Sequence, residues 1–545
     1  MKFLNNYLFQ MLLFAFLANN SATADHYKRN TEIDIQHYTF KLTLNDSTDT
    51  ILGETEIEIK FLSGGINKFY LDLAGLDSSS GKGMVVSQIK QDVKTLMFRQ
   101  SNDQLEINLA STSVKDEIKS FTIKYSGIPA EGLIISKNKY GDRTFFGDNW
   151  PNRAHYWLPT IDHPYDKATC DFIVTAPAKY KVIANGSLKE ESNLGNNLCL
   201  THWKESVPIP TKVMVIGAAK FSVKYLQDSN CIPVESWVYP EDKEKGFYDF
   251  SLAKDIMTLF SNLIGDFPYE KLANVESKTI YGGMENASAI FYAEQEITGT
   301  RKSIVTIAHE IAHQWFGDAV TEADWDHIWL SEGFATYFQN IFIAYYFGND
   351  SLLNAVRLER KQIIYYIMTN PNSAVVDTSI TTLTDLLNIN SYQKGGWVLR
   401  MLQHVLGDNI FWKGIRLYYK NYMNSNTLTK DFEATMEKVS GKNLEWFFNE
   451  WIYKPGLPYL SGEWEYDSKS KLLIVRIKQV QGVDNIIKMP LDLGLYFNKD
   501  KKAEIRKIKI NASINEYKFS VKHRPSKVII DPDLWLLMSS DFKEK

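Results

Sequence analysis

Cysteine is scarce: the 545 residues contain three, Cys170, Cys199 and Cys231. Their spacing matches no metal site, and at most one disulfide could form with a thiol left over. A disulfide-stapled scaffold and a cysteine-held metal are thereby excluded, and plain structural cysteines are the expectation. A large charge of either sign is lacking too, with a formal net charge of -4. No basic excess marks a nucleic-acid partner, and no acidic tail marks a charge-driven one. Internal repeats and low-complexity tracts are missing, and beyond the N-terminus no apolar run is long enough to span a bilayer. What is present is an ordinary globular balance, 44% hydrophobic and 23% charged, with 13% aromatic residues to fill large cores. The length suits roughly two to four domains.

The N-terminus is the compositional exception. Lys2 is its only charge before Asp25, and "YLFQMLLFAFLA" (Tyr7 to Ala18) is an apolar run of signal-peptide length. "ATA" (Ala22 to Ala24) offers the small residues of a cleavage site. Residues 1–24 are therefore expected to be a cleaved export signal, and the mature chain a periplasmic or secreted protein with no stable membrane span.

Strand periodicity dominates from about residue 32 to 225. "YTFKLTLND" places Tyr38, Phe40, Leu42 and Leu44 on one face, and "TEIEIKFL" does the same with Ile57, Ile59 and Phe61. Asn185-Gly186 reads as a turn. Helical periodicity begins near 246, where Leu252, Ile256, Leu259, Phe260 and Leu263 share a face and Gly265 is a C-cap candidate. Helices are expected to about 450. "WIYKPGLPYL" then breaks the pattern, and alternation returns with Leu473, Val475, Ile477 and then Leu491, Leu493, Leu495. The order is β, mostly α, then β. The expected divisions are 1–24, a β domain over 25–230, a catalytic domain over 231–452 and a small β-sandwich over 453–545.

One helical stretch carries ionisable groups where apolar ones belong. In "TIAHEIAHQWFGD" (Thr306 to Asp318), His309, Glu310 and His313 interrupt an otherwise core-like run. Burying them costs several kcal/mol, on the order of a whole side chain's hydrophobic gain, unless something compensates. Residues i and i+4 share a helix face, so His309 and His313 can converge on one ion. Zinc accepts imidazole nitrogen at about 2.0–2.1 Å. Glu310, one residue along, then stands beside the ion as a base for water, the HExxH arrangement. A catalytic zinc needs a third protein ligand and an open position. Glu332 in "WLSEGFATYF" lies 19 residues after His313 on the next helical segment, with Ser331 as an N-cap candidate. A divalent cation held by His309, His313 and Glu332 compensates all three. Upstream, Gly282 and Gly283 in "YGGMENASA" permit close backbone approach to a ligand. Taken bare, Glu285 beside them is an edge-strand glutamate.

With "GGMEN", "HEIAHQW", "WLSEGFA" and "YQKG" in this order and spacing, the sequence resembles the aminopeptidase N family of zinc metallopeptidases, gluzincins related to leukotriene hydrolase. The family's five-residue element is usually GAMEN. The resemblance also takes in "WPNRAHYWLPTIDHPYDKAT" and "FFNEWIYKPGLP", and so covers nearly the whole mature chain. It implies a multidomain α+β protein: an N-terminal β-sandwich-like domain, a central mostly helical thermolysin-like zinc peptidase domain and a small C-terminal β-sandwich, without the large helical domain of longer members. It implies one Zn2+ per chain on His309, His313 and Glu332, with Glu310 as general base. Glu285 becomes the grip on a substrate's free α-amino group, with Gly282, Gly283, Met284 and Asn286 beside the substrate. Tyr392 in "SYQKGG" becomes a hydrogen-bond donor to the tetrahedral intermediate. Two departures stand out. Where the family often has a glutamate seven residues beyond the third ligand, this chain has Gln339, and where it often has a polar residue near the substrate amine, Trp150 stands with Asp148 close by.

The expected activity is removal of single N-terminal amino acids from peptides with a free N-terminus. Epoxide hydrolysis or endopeptidase action on the same site, and a catalytically silent peptide-binding protein, are the alternatives. An arylamide assay with chelator and N-blocked controls separates them.

Overall fold

The strand Ile33–Thr43 sits inside an eight-stranded sheet, antiparallel to Ile51–Phe61 and parallel to Lys167–Pro177. Its register pairs Tyr38 with Ile57, and the alternating residues Tyr38, Phe40, Leu42, Ile57, Ile59 and Phe61 are all buried. The computed structural model describes residues 27–229, 231–481, 486–497 and 502–545. The expected signal segment, residues 1–24, lies outside them. The described chain is multidomain: an N-terminal β-rich region, a central region carrying most of the helices, and a C-terminal β-rich region. Cys170, Cys199 and Cys231 are free thiols. No helix among the described residues is long and apolar enough to cross a membrane.

The chain divides into two units. The first comprises residues up to Ser331 with Thr381–Asp385 and Arg416–Asp431. Beside the large sheet it holds a four-stranded sheet, in which Lys181–Ala184 pairs with Ile216–Ala219. Asn185-Gly186 does not close a hairpin. The strand after it, Ser187–Gly195, joins the large sheet through Leu198–Pro210, so the dipeptide passes the chain between sheets. Gly186 has φ +76, and a Cβ there would collide with the Lys204 carbonyl, so glycine is required on both counts.

A five-stranded sheet precedes the histidine-bearing helix, where the sequence pattern had pointed mainly to helices. Its strands Ile232–Val238, Leu272–Ser277 and Ala289–Ala293 run parallel, and the short strand Gly283–Met284 pairs antiparallel at the edge. Leu272–Ser277 and Ala289–Ala293 are buried at every residue. A strand covered on both faces shows no alternation, so its period is silent in the sequence. The helices Lys243–Asp249 and Ala253–Leu263 connect the first two parallel strands. The second helix ends as its glycine suggested: Gly265 N–H donates to the Ser261 carbonyl at 3.0 Å.

The second unit comprises Glu332–Ile380, Leu386–Ile415 and Phe432–Lys545. It contains most of the helix Trp329–Phe347, the helices Asn349–Thr369 and Gly395–Leu406, and two C-terminal sheets. In those sheets Leu473, Val475 and Ile477 are buried alternates, whereas Leu491, Leu493 and Leu495 are buried in a strand whose Asp492 and Gly494 are buried as well.

Candidate active site

The helix Ile304–His313 contains neither proline nor glycine, and its apolar residues Ile304, Ile307, Ala308, Ile311 and Ala312 are buried. So are His309, Glu310 and His313, at 3%, 4% and 1% exposure. The two imidazole rings stand 4.8 Å apart between centroids. After the helix, Gly317 at φ +123 turns the chain, and its N–H donates to the Val320 carbonyl at 2.8 Å.

His313 Nδ1 lies 3.2 Å from the Phe316 carbonyl oxygen and 3.0 Å from Ser331 Oγ. A carbonyl can only accept, so Nδ1 carries the hydrogen and Nε2 keeps its lone pair free for a metal. Ser331 is not an N-cap, contrary to its sequence reading. The helix begins earlier, at Trp329, because the apolar Trp329 and Leu330 already belong to its buried first turn. Glu332 follows Ser331 directly. His309, His313 and Glu332 each offer a ligand atom, and these atoms lie within 4.8 Å of one another. Two imidazole nitrogens and one carboxylate oxygen, all buried, with one tautomer set by its partners, fit a zinc donor set.

Glu285, Glu310 and His313 form a second group with the same 4.8 Å closeness. Glu285 is nearly fully buried, and its Oε1 has no hydrogen-bond partner among the described residues. Gly283 packs against Glu310: a Cβ built on Gly283 would collide with the Glu310 carboxylate and come to 2.5 Å of its Cδ. The alanine usual at this place in the related motif would therefore require a different Glu310 side-chain position. Gly282 and Gly283 are half-buried, whereas the Met284 and Asn286 side chains are buried. Met284 lies in a strand paired with Phe291, and the Asn286 Nδ2 and Oδ1 atoms have no hydrogen-bond partner among the described residues.

The two departures also have places. Asp148 is fully buried, ion-paired with Arg153, and accepts from Thr279 Oγ1 and Ile280 N–H at 3.1 Å each. Burial pushes its pKa up, against the pull of Arg153 and these donors. Its Oδ2 is thus committed to the segment leading into Gly282–Asn286, and its Oδ1 to Arg153. Trp150 is buried edge-on between Tyr281 and Trp325, with centroids 5.9 and 5.7 Å away. Gln339 is half-buried in the helix Trp329–Phe347. Tyr392 belongs to the second unit, half-buried in the five-residue π-helix Asn390–Lys394.

Two lysines support the first unit near this segment. Lys212 and Glu322 form an ion pair at 1% and 0% side-chain exposure. Burial opposes the Lys212 ammonium, but Glu322 and Glu285 outweigh it and hold its pKa above the ordinary lysine value. Lys167 Nζ donates to the Asp318 and Ala319 carbonyls at 2.8 and 2.9 Å, fixing the turn after the helix. Sequence reading missed Gln314, Gly317 and the actual role of Ser331. Only the adjacency of Gln314 to His313 could have drawn attention to it.

Comparison with known proteins shows the family. The model of the peptidase family M1 domain matches residues 248–451, and that of the peptidase M1 N-terminal domain matches 34–213. A probable aminopeptidase 2 of Sulfurisphaera tokodaii is 29% identical over 413 residues, 72% of this chain and 52% of that protein. Human glutamyl aminopeptidase is 27% identical over 368 residues, 64% of this chain and 38% of that protein. The crystal structure of Legionella pneumophila aminopeptidase A in complex with aspartic acid superposes with a TM-score of 0.79 at 18% identity, covering 95% of this chain and 60% of that one. The likeness of that structure concerns the fold. The chain spans about half the length, or less, of these curated relatives. The fold and the matched family models define a peptidase architecture. The chain belongs to peptidase family M1.

Proposed function

We propose that this protein is a zinc-dependent aminopeptidase that releases single N-terminal amino acids from peptides. The observation that carries this reading is the pair of overlapping groups: His309, His313 and Glu332 within 4.8 Å, and Glu285, Glu310 and His313 within 4.8 Å. A metal-ligand set thus adjoins two further carboxylates.

His309, His313 and Glu332 hold the zinc. When bound, zinc polarises the scissile carbonyl and lowers the pKa of water from about 15.7 to about 7. Glu310 takes the proton of the attacking water and later delivers it to the leaving amine. The Tyr392 hydroxyl donates a hydrogen bond to the developing oxyanion, a type of contact worth about 3–4 kcal/mol. Glu285 accepts the substrate's α-ammonium. A blocked N-terminus leaves its buried carboxylate unpaired, which selects for free chain ends.

The test is hydrolysis of an aminoacyl-arylamide series, including acidic first residues in view of the relatives named glutamyl aminopeptidase, with and without chelator and against N-acetylated controls. Chelator-sensitive hydrolysis confined to free amines supports the reading. Equal rates on blocked substrates contradict it.

A further inference from the structure

Gln314 follows the second histidine directly, and its side chain is fully buried. Its Nε2 donates to the Glu285 carbonyl at 2.8 Å and to Asp318 Oδ2 at 2.9 Å. Its Oε1 accepts from Ser288 N–H at 2.8 Å. The amide has no freedom to flip, because a carbonyl only accepts and a peptide N–H only donates. One side chain therefore grips both ends of Glu285–Ser288 from the end of the histidine-bearing helix.

The gripped segment needs holding. Ser288 has φ +62, a left-handed conformation that costs a non-glycine residue about 1 kcal/mol or more. The opposite side is tied as well: Asn185 Nδ2 donates to the Ala287 carbonyl at 2.6 Å, and Gly186 N–H donates to Ser288 Oγ at 2.7 Å. Glu285 Oε1 itself has no partner among the described residues. The Glu285 carboxylate is carried on this backbone, and Gln314 holds the backbone at the Glu285 carbonyl.

We propose that Gln314 is a positioning residue: through the Glu285 carbonyl and the Ser288 N–H it fixes the span between the metal ligands and the Glu285 carboxylate, and so governs capture of a substrate's free α-ammonium. The inference rests on the reading of Glu285 as the amine anchor. The path is short. His313 and Gln314 share a peptide bond, and one side chain separates that peptide from the anchor segment. A displacement of about 1 Å in such a frame costs on the order of a hundredfold in rate or binding.

The experiment compares Gln314→Met, Gln314→Glu, Glu285→Gln and the double variant Gln314→Met/Glu285→Gln in the full chain. It reads kcat and KM on an aminoacyl-arylamide, the free-amine over N-acetyl rate ratio, and zinc content. Gln314→Met keeps the volume and loses all three hydrogen bonds. Its KM is expected to rise about tenfold or more, with the rate ratio falling alongside and zinc unchanged. Gln314→Glu keeps an oxygen to accept from Ser288 N–H but loses the amide hydrogens that Glu285 and Asp318 accept, and should recover only part of the loss. In the Glu285→Gln background, Gln314→Met should add little, since both act on one interaction.

A packing role alone would leave Gln314→Met active, and that result overturns the proposal. So do a KM unchanged in Gln314→Met, full additivity in the double variant, or loss of zinc. If Glu285→Gln by itself leaves KM and the rate ratio unchanged, the amine-anchor reading fails and takes this one with it. If only the Gln314 variants are silent, the anchor stands and the positioning role falls. Should Gln314→Met not fold, Gln314→Asn, one methylene too short to reach both groups, carries the same expected and overturning results.

Discussion

Ser331 Oγ and His313 Nδ1 meet at 3.0 Å across a space that only glycine leaves open. A Cβ on Gly317 would collide with Ser331 Oγ and come to 2.9 Å of His313 Nδ1, and the residue's φ of +123 disfavours any side chain besides. The serine that precedes the third expected ligand thus steadies the second one. Outer partners of this kind typically change metal affinity about 10- to 100-fold. Ser331→Ala is expected to weaken zinc binding within that range, measured by competition with a chelator. Gly317→Ala should weaken it further. Wild-type affinity in both variants would contradict the role.

Glu310 is expected to carry the proton transfers without holding the metal. Glu310→Gln keeps the size and removes the base. Turnover should fall about a hundredfold or more, while zinc remains at one per chain. A kcat assay and metal analysis on the same preparation check it, and near-normal turnover would refute the assignment.

Lys212 and Glu322 make a stability prediction. Removing one partner of a buried pair leaves a charge without compensation and costs about 3–5 kcal/mol. Glu322→Ala should therefore lower the denaturant midpoint sharply. The double change Lys212→Met with Glu322→Leu should lower it much less. Equal losses in the two variants would count against an uncompensated ammonium as the cause.

Glu359 sets a pH dependence in the second unit. It is buried in the helix Asn349–Thr369 and accepts from Asn340 Nδ2 at 3.0 and 3.2 Å. Burial pushes its carboxyl from 4.5 up to about 7, against the smaller opposing effects of Asn340, Arg400 and Trp397. Between those two values the folded chain keeps a proton that the unfolded chain has lost. Stability therefore falls as pH rises through this window, by up to about 3 kcal/mol. Glu359→Gln retains an acceptor for Asn340 and cannot ionise. Its unfolding free energy should exceed wild type at pH 8 and converge with it below pH 4.5. Parallel pH profiles for the two proteins would contradict this.

Parts of the molecule were plain in the sequence because their signals are local. Tyr38, Phe40 and Leu42 alternate where a half-buried strand must, and His309 and His313 sit one helical turn apart. Signals that depend on tertiary cover were silent. Leu272–Ser277 and Ala289–Ala293 are buried on both faces and so show no period. Ser331 looks like a cap because serine before a helical run usually is one; its partner is a histidine 18 positions upstream. Asn185-Gly186 has the composition of a hairpin turn, yet Asn185 is buried against the Ala287 and Val213 carbonyls. Gln314 has partners up to 29 positions away, beyond any local pattern. Tyr392 carried no spacing signal of its own, and only the family resemblance singled it out.

Metal analysis of the purified protein after reconstitution, comparing wild type with Glu332→Ala, tests the account most directly. One zinc per wild-type chain, with affinity lost in the variant together with arylamide hydrolysis, is the expected result. A wild-type chain that retains no stoichiometric metal, or a variant that binds zinc as tightly as wild type, would contradict it.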